Sequence, residues 1–275
     1  MLRKLKPLVE AHAPILASIY RRWRDANMFQ RMMPVQTPLG FKLGGNLQMQ
    51  EGTFEPESVV IIRKLLQKAD VFIDIGANIG YYTCIAQTMG KYTISVEPLS
   101  QNLAYLYANL MANAWHNVEV LPVALGSEVG IATLYGASTG ASLVKGWANM
   151  SPLLQNTVPV TTLDLVLGCR FSDQSLVIKL DVEGAEYSLL QGASQTLQRS
   201  TSPIWVAEVS FSGSHPGQNP NYRQTFGLFF DLGYYAYSIG QTFVPVLIHD
   251  VERWIKNGTC DGISENYVFS RQPLM

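Results

Sequence analysis

A β-branched run, a glycine turn and a helix start, in that order, constrain this chain more than any other feature. Val71-Phe-Ile-Asp-Ile75 reads as a buried strand, Gly76-Ala-Asn-Ile-Gly80 as a turn, and Tyr81-Tyr-Thr83 as the opening of a helix. Tyr92-Thr-Ile-Ser-Val-Glu-Pro98 follows as a second apolar strand that ends in an acid, Glu97. Strand, glycine turn, helix and acid-terminated strand make up the first half of a nucleoside-binding α/β sheet. The bound molecule is expected to carry a ribose.

Charge narrows the choice of nucleoside. A nicotinamide dinucleotide rests its pyrophosphate on bare N–H groups at a helix N-terminus, with glycines spaced G-x-G-x-x-G. Here Gly76 and Gly80 are spaced G-x-x-x-G. Asp74, at the mouth of the turn, would repel a phosphate about 4 Å away by roughly 4 kcal/mol at an effective dielectric near 20. A cationic ligand without phosphate fits better. S-adenosylmethionine offers a sulfonium and an amino group to the carboxylate and a ribose diol to Glu97. Glu97 follows Asp74 by 23 residues, near the spacing of about 20 expected for a ribose-binding acid on the second strand. Taken singly, each feature also reads as a tight connection or a strand end, so it is their order that carries the inference.

With 275 residues, the chain is long enough for a single α/β domain with a substantial core. Residues 51–275 are expected to form that catalytic domain, with residues 1–50 as a basic helical extension. Residues 1–31 hold seven Lys/Arg against two acids. A helix over Pro14–Met28, with Ile15, Ile19 and Trp23 packed on the main domain, accounts for them; contact with an anionic surface is the other reading. No run approaches the roughly 20 apolar residues needed to span a bilayer. Glu10, His12, Arg21, Arg22 and Arg24 interrupt any signal-like stretch, so a cytoplasmic location is expected. Cys84, Cys169 and Cys260 are an odd number without a C-x-x-C pair, which argues against a disulfide framework or a zinc site.

The alternation of strands and helices continues beyond Glu97. A helix from Ser100 to Asn113 and a strand over Val118–Val123 precede a β excursion at Val129–Leu134 and Val158–Thr161. The Gly/Ser-rich stretch Gly136–Gly146 between these runs reads as a lid or a plain loop. Thr162-Leu-Asp164 opens a short helix, Ser175–Asp181 is a strong strand, and a helix from Val182 to Leu197 leads to a strand at Ile204–Val209. Phe226–Leu232 is expected to be helical, with strands at Tyr234–Ser238 and Asn266–Ser270. Seven strands with intervening helices predict a doubly wound sheet, with its ligand at the carboxyl ends of the strands.

A second cluster of chemistry falls at that edge. Period-two alternation sends Lys179 and Asp181 to one side of their strand, and Glu183 with Glu186 is expected to share the first helical turn after it. Acids there also offset a helix dipole, and Lys179 also serves to neutralise Asp181.

Asp74-Ile-Gly-Ala-Asn-Ile-Gly80, Glu97-Pro-x-x-x-Asn102, Ala124-Leu-Gly126 and Ile178-Lys-Leu-Asp-Val-Glu-Gly-Ala-Glu186, together with Glu51-Gly-Thr-Phe-Glu-Pro56 upstream, resemble the FkbM-type S-adenosylmethionine-dependent methyltransferases. The resemblance covers roughly residues 50 to 240. It implies a Rossmann-like seven-stranded class I methyltransferase sheet with helices on both faces, and O-methylation of a sugar or other secondary metabolite. By the same resemblance Asp74, Gly76, Asn78 and Gly80 line the methionine part of the cofactor and Glu97 holds the ribose hydroxyls. Asn102 supports that edge, Ala124 lies near the adenine, and Asp181 sits by the transferred methyl.

An alcohol acceptor has to lose its proton, and the candidate bases are Asp181, Glu208 at the end of its strand, and His215 in the loop that follows. No strong metal motif is present, so metal independence is expected, although Asp181 with Glu183 or Glu208 could supply oxygen ligands. Asn219-Pro-Asn-Tyr222 resembles an amine-gripping motif, but it follows the wrong strand and reads as a turn. The expected partner is a small-molecule or glycan hydroxyl acceptor; Tyr234, Tyr235, Tyr237, Trp147 and Met150 offer aromatic or soft faces for it. Nucleic acid is disfavoured, and a homo-oligomer stays open. The rival readings are a nicotinamide-dependent oxidoreductase and a non-catalytic protein on the same fold.

Overall fold

All five side chains of Val71–Ile75 are buried, because helices cover both faces of the sheet in which this strand lies. The computed structural model describes residues 33–147, 153–212 and 218–274. The expected basic helix at Pro14–Met28, His215 and Met150 lie outside these residues.

A ribbon of β1 (Val35–Gln36) and β2 (Lys42–Leu43) leads through α1 (Leu47–Glu51) and α2 (Pro56–Leu66) into the alternating core. There follow β3 (Val71–Ile75), α3 (Tyr81–Thr88), β4 (Tyr92–Val96), α4 (Ser100–Ala112) and β5 (Glu119–Leu121). The excursion is β6 (Ala124–Leu125), β7 (Gly130–Tyr135) and β8 (Gln155–Thr161), a separate three-stranded sheet. The chain then runs through α5 (Leu163–Leu167), β9 (Leu176–Leu180), α6 (Glu186–Gln191), α7 (Ser194–Leu197) and β10 (Ile204–Glu208). It ends with α8 (Tyr222–Asp231), β11 (Tyr235–Ile239), β12 (Phe243–Val246), α9 (Ile248–Asn257) and β13 (Asn266–Ser270).

The main sheet has eight strands in the order β12-β11-β13-β10-β9-β3-β4-β5, not the expected seven. The added strand, β12, pairs antiparallel with β11 at the sheet edge. Pro245 inside it hides the strand signal, yet an edge strand tolerates a proline because one row of its backbone groups needs no partner in the sheet. On one face α5 to α9 pack over Ile73, Ile178, Leu180, Trp205 and Phe269. On the other, α2, α3 and the β1–β2 segment cover Phe72, Val177, Val206 and Val268. The helix expected from Val182 to Leu197 is split at Gly192, whose carbonyl accepts the Asp164 N–H and whose Cα abuts Gly126. Cys84, Cys169 and Cys260 are all free thiols. No helix among the described residues is long and apolar enough to cross a membrane.

β3 and β9 approach each other most closely just past their carboxyl ends. The Asp181 N–H donates to the Ile75 carbonyl at 3.0 Å, and a Cβ built on Gly76 would lie 1.7 Å from the Asp181 carbonyl oxygen. Gly76 also has φ 79°, a conformation that side chains rarely adopt. Gly76→Ala is therefore expected to destabilise the fold by about 3 kcal/mol, strain and overlap together. Gly90→Ala, at φ 68° with open space around it, is expected to cost only about 1 kcal/mol. Equal shifts of the two urea midpoints would show that the approach at Gly76 is not the constraint.

Candidate active site

A cavity of about 380 Å³ opens at the carboxyl ends of β3, β4, β9 and β10. It sits where the strand order leaves β3 in opposite directions, the place at which open α/β sheets bind ligands.

Glu97 closes one end. It follows β4 directly and is 4% exposed. Its Oε2 accepts the Asn78 N–H at 2.9 Å, and its Oε1 accepts the Leu99 N–H at 2.8 Å and Asn102 Nδ2 at 3.3 Å. Burial pushes its carboxyl up to about 7, against the pull of those donors. Oε2, with one donor, keeps a lone pair for a further hydroxyl, whereas Oε1 already accepts two. The N–H groups of Gly76 and Ala77 donate to the Val96 carbonyl, and that of Gly80 to Ala77. With the Asn78 N–H also used, the turn offers no bare row of donors to a pyrophosphate. Ala124 lies in the adjoining wall with Leu134, Ala141 and Leu143, which come from the excursion.

Acids gather around one lysine at the other end. Asp74 and Lys179 are partners in the β3–β9 register, so both point to the face covered by α3. Asp74 is 1% exposed; Oδ2 accepts the Thr83 hydroxyl at 2.6 Å, and Oδ1 has no hydrogen-bond partner among the described residues. The strand runs on through Ile75, so Asp74 lies beneath the turn and off the cavity wall, where the sequence reading had it at the mouth. Burial raises its carboxyl, with the charge of Lys179 opposing. Gly80 is off the wall too: it packs on Leu106 as α3 begins.

Lys179 is 5% exposed. Its Nζ reaches Asp181 Oδ2 at 2.7 Å and stands 4.8 Å from the centre of the Tyr82 ring. Burial alone would depress the ammonium; the charges of Asp181, Asp74 and Glu55 outweigh it and raise it. Glu208, at the end of β10, is half-buried, lines the cavity and accepts no hydrogen bond among the described residues. The charge of Asp181, then burial, holds its carboxyl well above the usual range.

Glu183 does not share a helical turn with Glu186 as expected. Its backbone is left-handed, at φ 55°, and α6 begins only at Glu186. Glu183 faces the cavity and accepts the Trp147 indole N–H at 2.7 Å, while the Ser142 hydroxyl donates to its carbonyl. Burial first, then Asp181, pushes its carboxyl up to about 8. The Gly136–Gly146 stretch is thus tied to the β9 end and supplies Thr139, Ala141 and Leu143 to the wall.

The cavity therefore brings together Gly76, Asn78, Glu97, Asn102, Ala124, Lys179, Asp181 and Glu208 from the predicted set. Phe54, Glu55 and Tyr82, to which the sequence assigns no site role although the first two fall in the Glu51–Pro56 segment of the family resemblance, complete the acid-rich end. A physical signal lies in Glu55-Pro56: a residue before proline avoids the right-handed helical region, and Glu55 takes φ 42° as the cap of α2. No group of three or more His, Cys, Asp or Glu among the described residues is placed to hold a metal ion.

Residues 74–256 match the Methyltransferase FkbM domain. No curated protein matches the sequence at a significant level. Among solved structures, a precorrin-6y C5,15-methyltransferase from Geobacter metallireducens is similar at 12% identity and TM-score 0.39, covering 80% of this chain and 90% of that one. A SAM-dependent methyltransferase from Aquifex aeolicus gives 11% identity and TM-score 0.38 over 78% and 88% of the two chains. An rRNA methylase from Streptococcus thermophilus gives 10% identity and TM-score 0.38 over 77% and 92%. A cavity rich in carboxylates, with Glu97 Oε2 open to a further hydroxyl donor and no bare row of turn amides for phosphate, suits the cationic cofactor of that domain. The chain belongs to the FkbM methyltransferase family, and its cofactor is S-adenosylmethionine.

Proposed function

We propose that the protein is an O-methyltransferase acting on a hydroxyl of a sugar or other secondary metabolite. The observation that carries this reading is Glu208, a carboxylate without a hydrogen-bond donor among the described residues, in the same cavity as the ribose-type acid Glu97. S-adenosylmethionine, when bound, supplies an electrophilic methyl group on sulfur. Gly76, Ala77 and Asn78 would hold its methionine part, Glu97 and Asn102 its ribose edge, and Ala124 the adenine, with Asp181 beside the methyl. Lys179 fixes Asp181 through the 2.7 Å ion pair. Glu208, which has no such cation, takes the hydroxyl proton as the acceptor oxygen becomes nucleophilic. The cavity's further contribution is to align acceptor oxygen, methyl carbon and sulfur, which lowers the barrier by several kcal/mol.

Isothermal titration with S-adenosylmethionine and S-adenosylhomocysteine is expected to show binding of both, weakened roughly tenfold or more by Glu97→Gln through loss of charged hydrogen-bond acceptors. Unchanged affinity in that variant would remove Glu97 from the site. With an acceptor found by screening hydroxylated metabolites, Glu208→Gln is expected to lower turnover by about 10²-fold or more while the cofactor still binds. Full turnover in that variant would assign the base elsewhere.

Glu97 and Glu186 are pushed up to about 7, and Glu183 to about 8, burial being the largest cause in each. An unfolded glutamate titrates near about 4.3, so above that pH the folded chain keeps protons that the unfolded chain has lost. This stabilisation is complete below about pH 4.3 and is lost as the pH rises through about 7 to 8. The unfolding temperature of the cofactor-free protein should fall between about pH 5 and about pH 8, less steeply in Glu97→Gln. A midpoint that rises across this window would contradict the assigned burial.

A further inference from the structure

We propose that the acceptor end of the cavity selects a hydroxylated acceptor carrying a protonated amine, of the amino-sugar class, and that Glu55 is the residue that sets this preference. The inference rests on the methyl-transfer reading above and adds the charge of the substrate to it.

The charged side chains on the cavity wall are Glu55, Glu97, Asp181, Glu183, Glu208 and Lys179. Lys179 is already committed to Asp181 at 2.7 Å. The bound cofactor brings one positive charge in excess, and Glu97 faces its ribose. Glu183 is turned to the Trp147 indole, and burial with the charge of Asp181 pushes its carboxyl up to about 8, so the negative charge at this end rests on the other acids. Glu55 and Glu208 then face the acceptor, and neither forms an ion pair among the described residues; the charge of Lys179, bonded to Asp181, reaches both only at longer range. In an enclosed site such charges act on each other more strongly than on an open surface. Asp181, Glu183 and Glu55 all push the Glu208 carboxyl upward. An ammonium placed among them relieves that crowding, whereas a carboxylate or phosphate on the acceptor adds to it.

Glu55 is held in place for this role. Its backbone sits at φ 42° and ψ 57°, unusual for a residue other than glycine, directly before Pro56 at the start of α2. The Tyr82 hydroxyl donates to its Oε2 at 2.7 Å, and its Oε1 has no partner among the described residues. A non-glycine residue keeps such a conformation only where its surroundings over-determine it. Phe54 and Tyr81 stand edge to face at 5.6 Å and also line the cavity. They supply an apolar wall for a sugar ring and a π-face for its ammonium.

The test is titration of the S-adenosylhomocysteine complex with glucosamine, glucose and glucuronic acid under matched conditions. Glucosamine is expected to bind about tenfold or more tighter than glucose, and glucuronic acid not measurably. Glu55→Gln should bring the glucosamine-to-glucose ratio toward one, and Tyr82→Phe, which frees Glu55 without removing its charge, should lower it partway. Glucose affinity is the internal reference for an intact pocket. A wild-type ratio of one or below, binding of none of the three sugars, or a full ratio in Glu55→Gln would overturn the proposal. Failure of S-adenosylhomocysteine itself to bind is a separate result: it would sink the methyl-transfer reading, and this inference with it.

Discussion

The buried ammonium of Lys179 allows carboxylates to collect at one edge of the sheet. Moving a charge of this kind out of water costs several kcal/mol unless it is paired. Here Asp181 pairs with it directly, Asp74 lies beside it in the β3–β9 register, and the Tyr82 ring faces it. The dependence runs both ways, since Asp74, 1% exposed, has no other cation in its surroundings among the described residues. A one-residue slip of β9 against β3 would turn Lys179 into the apolar face formed by Ile178 and Leu180. Register and charge pairing therefore enforce each other, and the cavity above inherits its geometry from both.

The same register places the floor of the cavity. With Asp74 opposite Lys179, the chain past Ile75 meets the chain past Leu180, and only a glycine at position 76 leaves room for the Asp181 carbonyl. The turn then curls so that its N–H groups bond to Val96, Glu97 and Ala77. That inward use of donors, together with the surplus of acids, separates this site from one built for a dinucleotide. Both sites share an acid at the end of the second strand; they differ in what their turn amides are free to hold.

Much of this arrangement was legible in the residues. β3, β4, β9 and β13 fall where periodicity and β-branched content put them, Asn266–Ser270 to the residue. The alternation that paired Lys179 with Asp181 held because a strand permits no other outcome. What escaped has specific causes. β12 carries Pro245, which cancels its strand signal although its edge position tolerates it. Asp74 was read at the turn because sequence gives order along the chain and not depth within the sheet. Glu183 was assigned to a helix on spacing alone, yet its bonds to Trp147 and Ser142 come from residues 36 and 41 positions earlier. Glu55 left still less trace, since a loop residue before proline has no periodicity to betray which way its side chain turns.

Backbone strain shows where the fold has spent stability. Of the described residues other than glycine, Glu55, Asn78, Ala114, Phe171 and Glu183 have positive φ. Three of them, Glu55, Asn78 and Glu183, line the cavity. Such conformations cost about 1–3 kcal/mol each and last only where other contacts fix them. Each of the three has a hydrogen bond that does so: the Tyr82 hydroxyl to Glu55, the Asn78 N–H to Glu97, and the Trp147 indole to Glu183. Two of these bonds end on carboxylates that are themselves strained, and the third on the acid assigned to the ribose. The groups that would contact cofactor and acceptor are thus the ones the fold holds against local preference, which is the arrangement expected of a site preorganised for transfer and not of a crevice left over from packing.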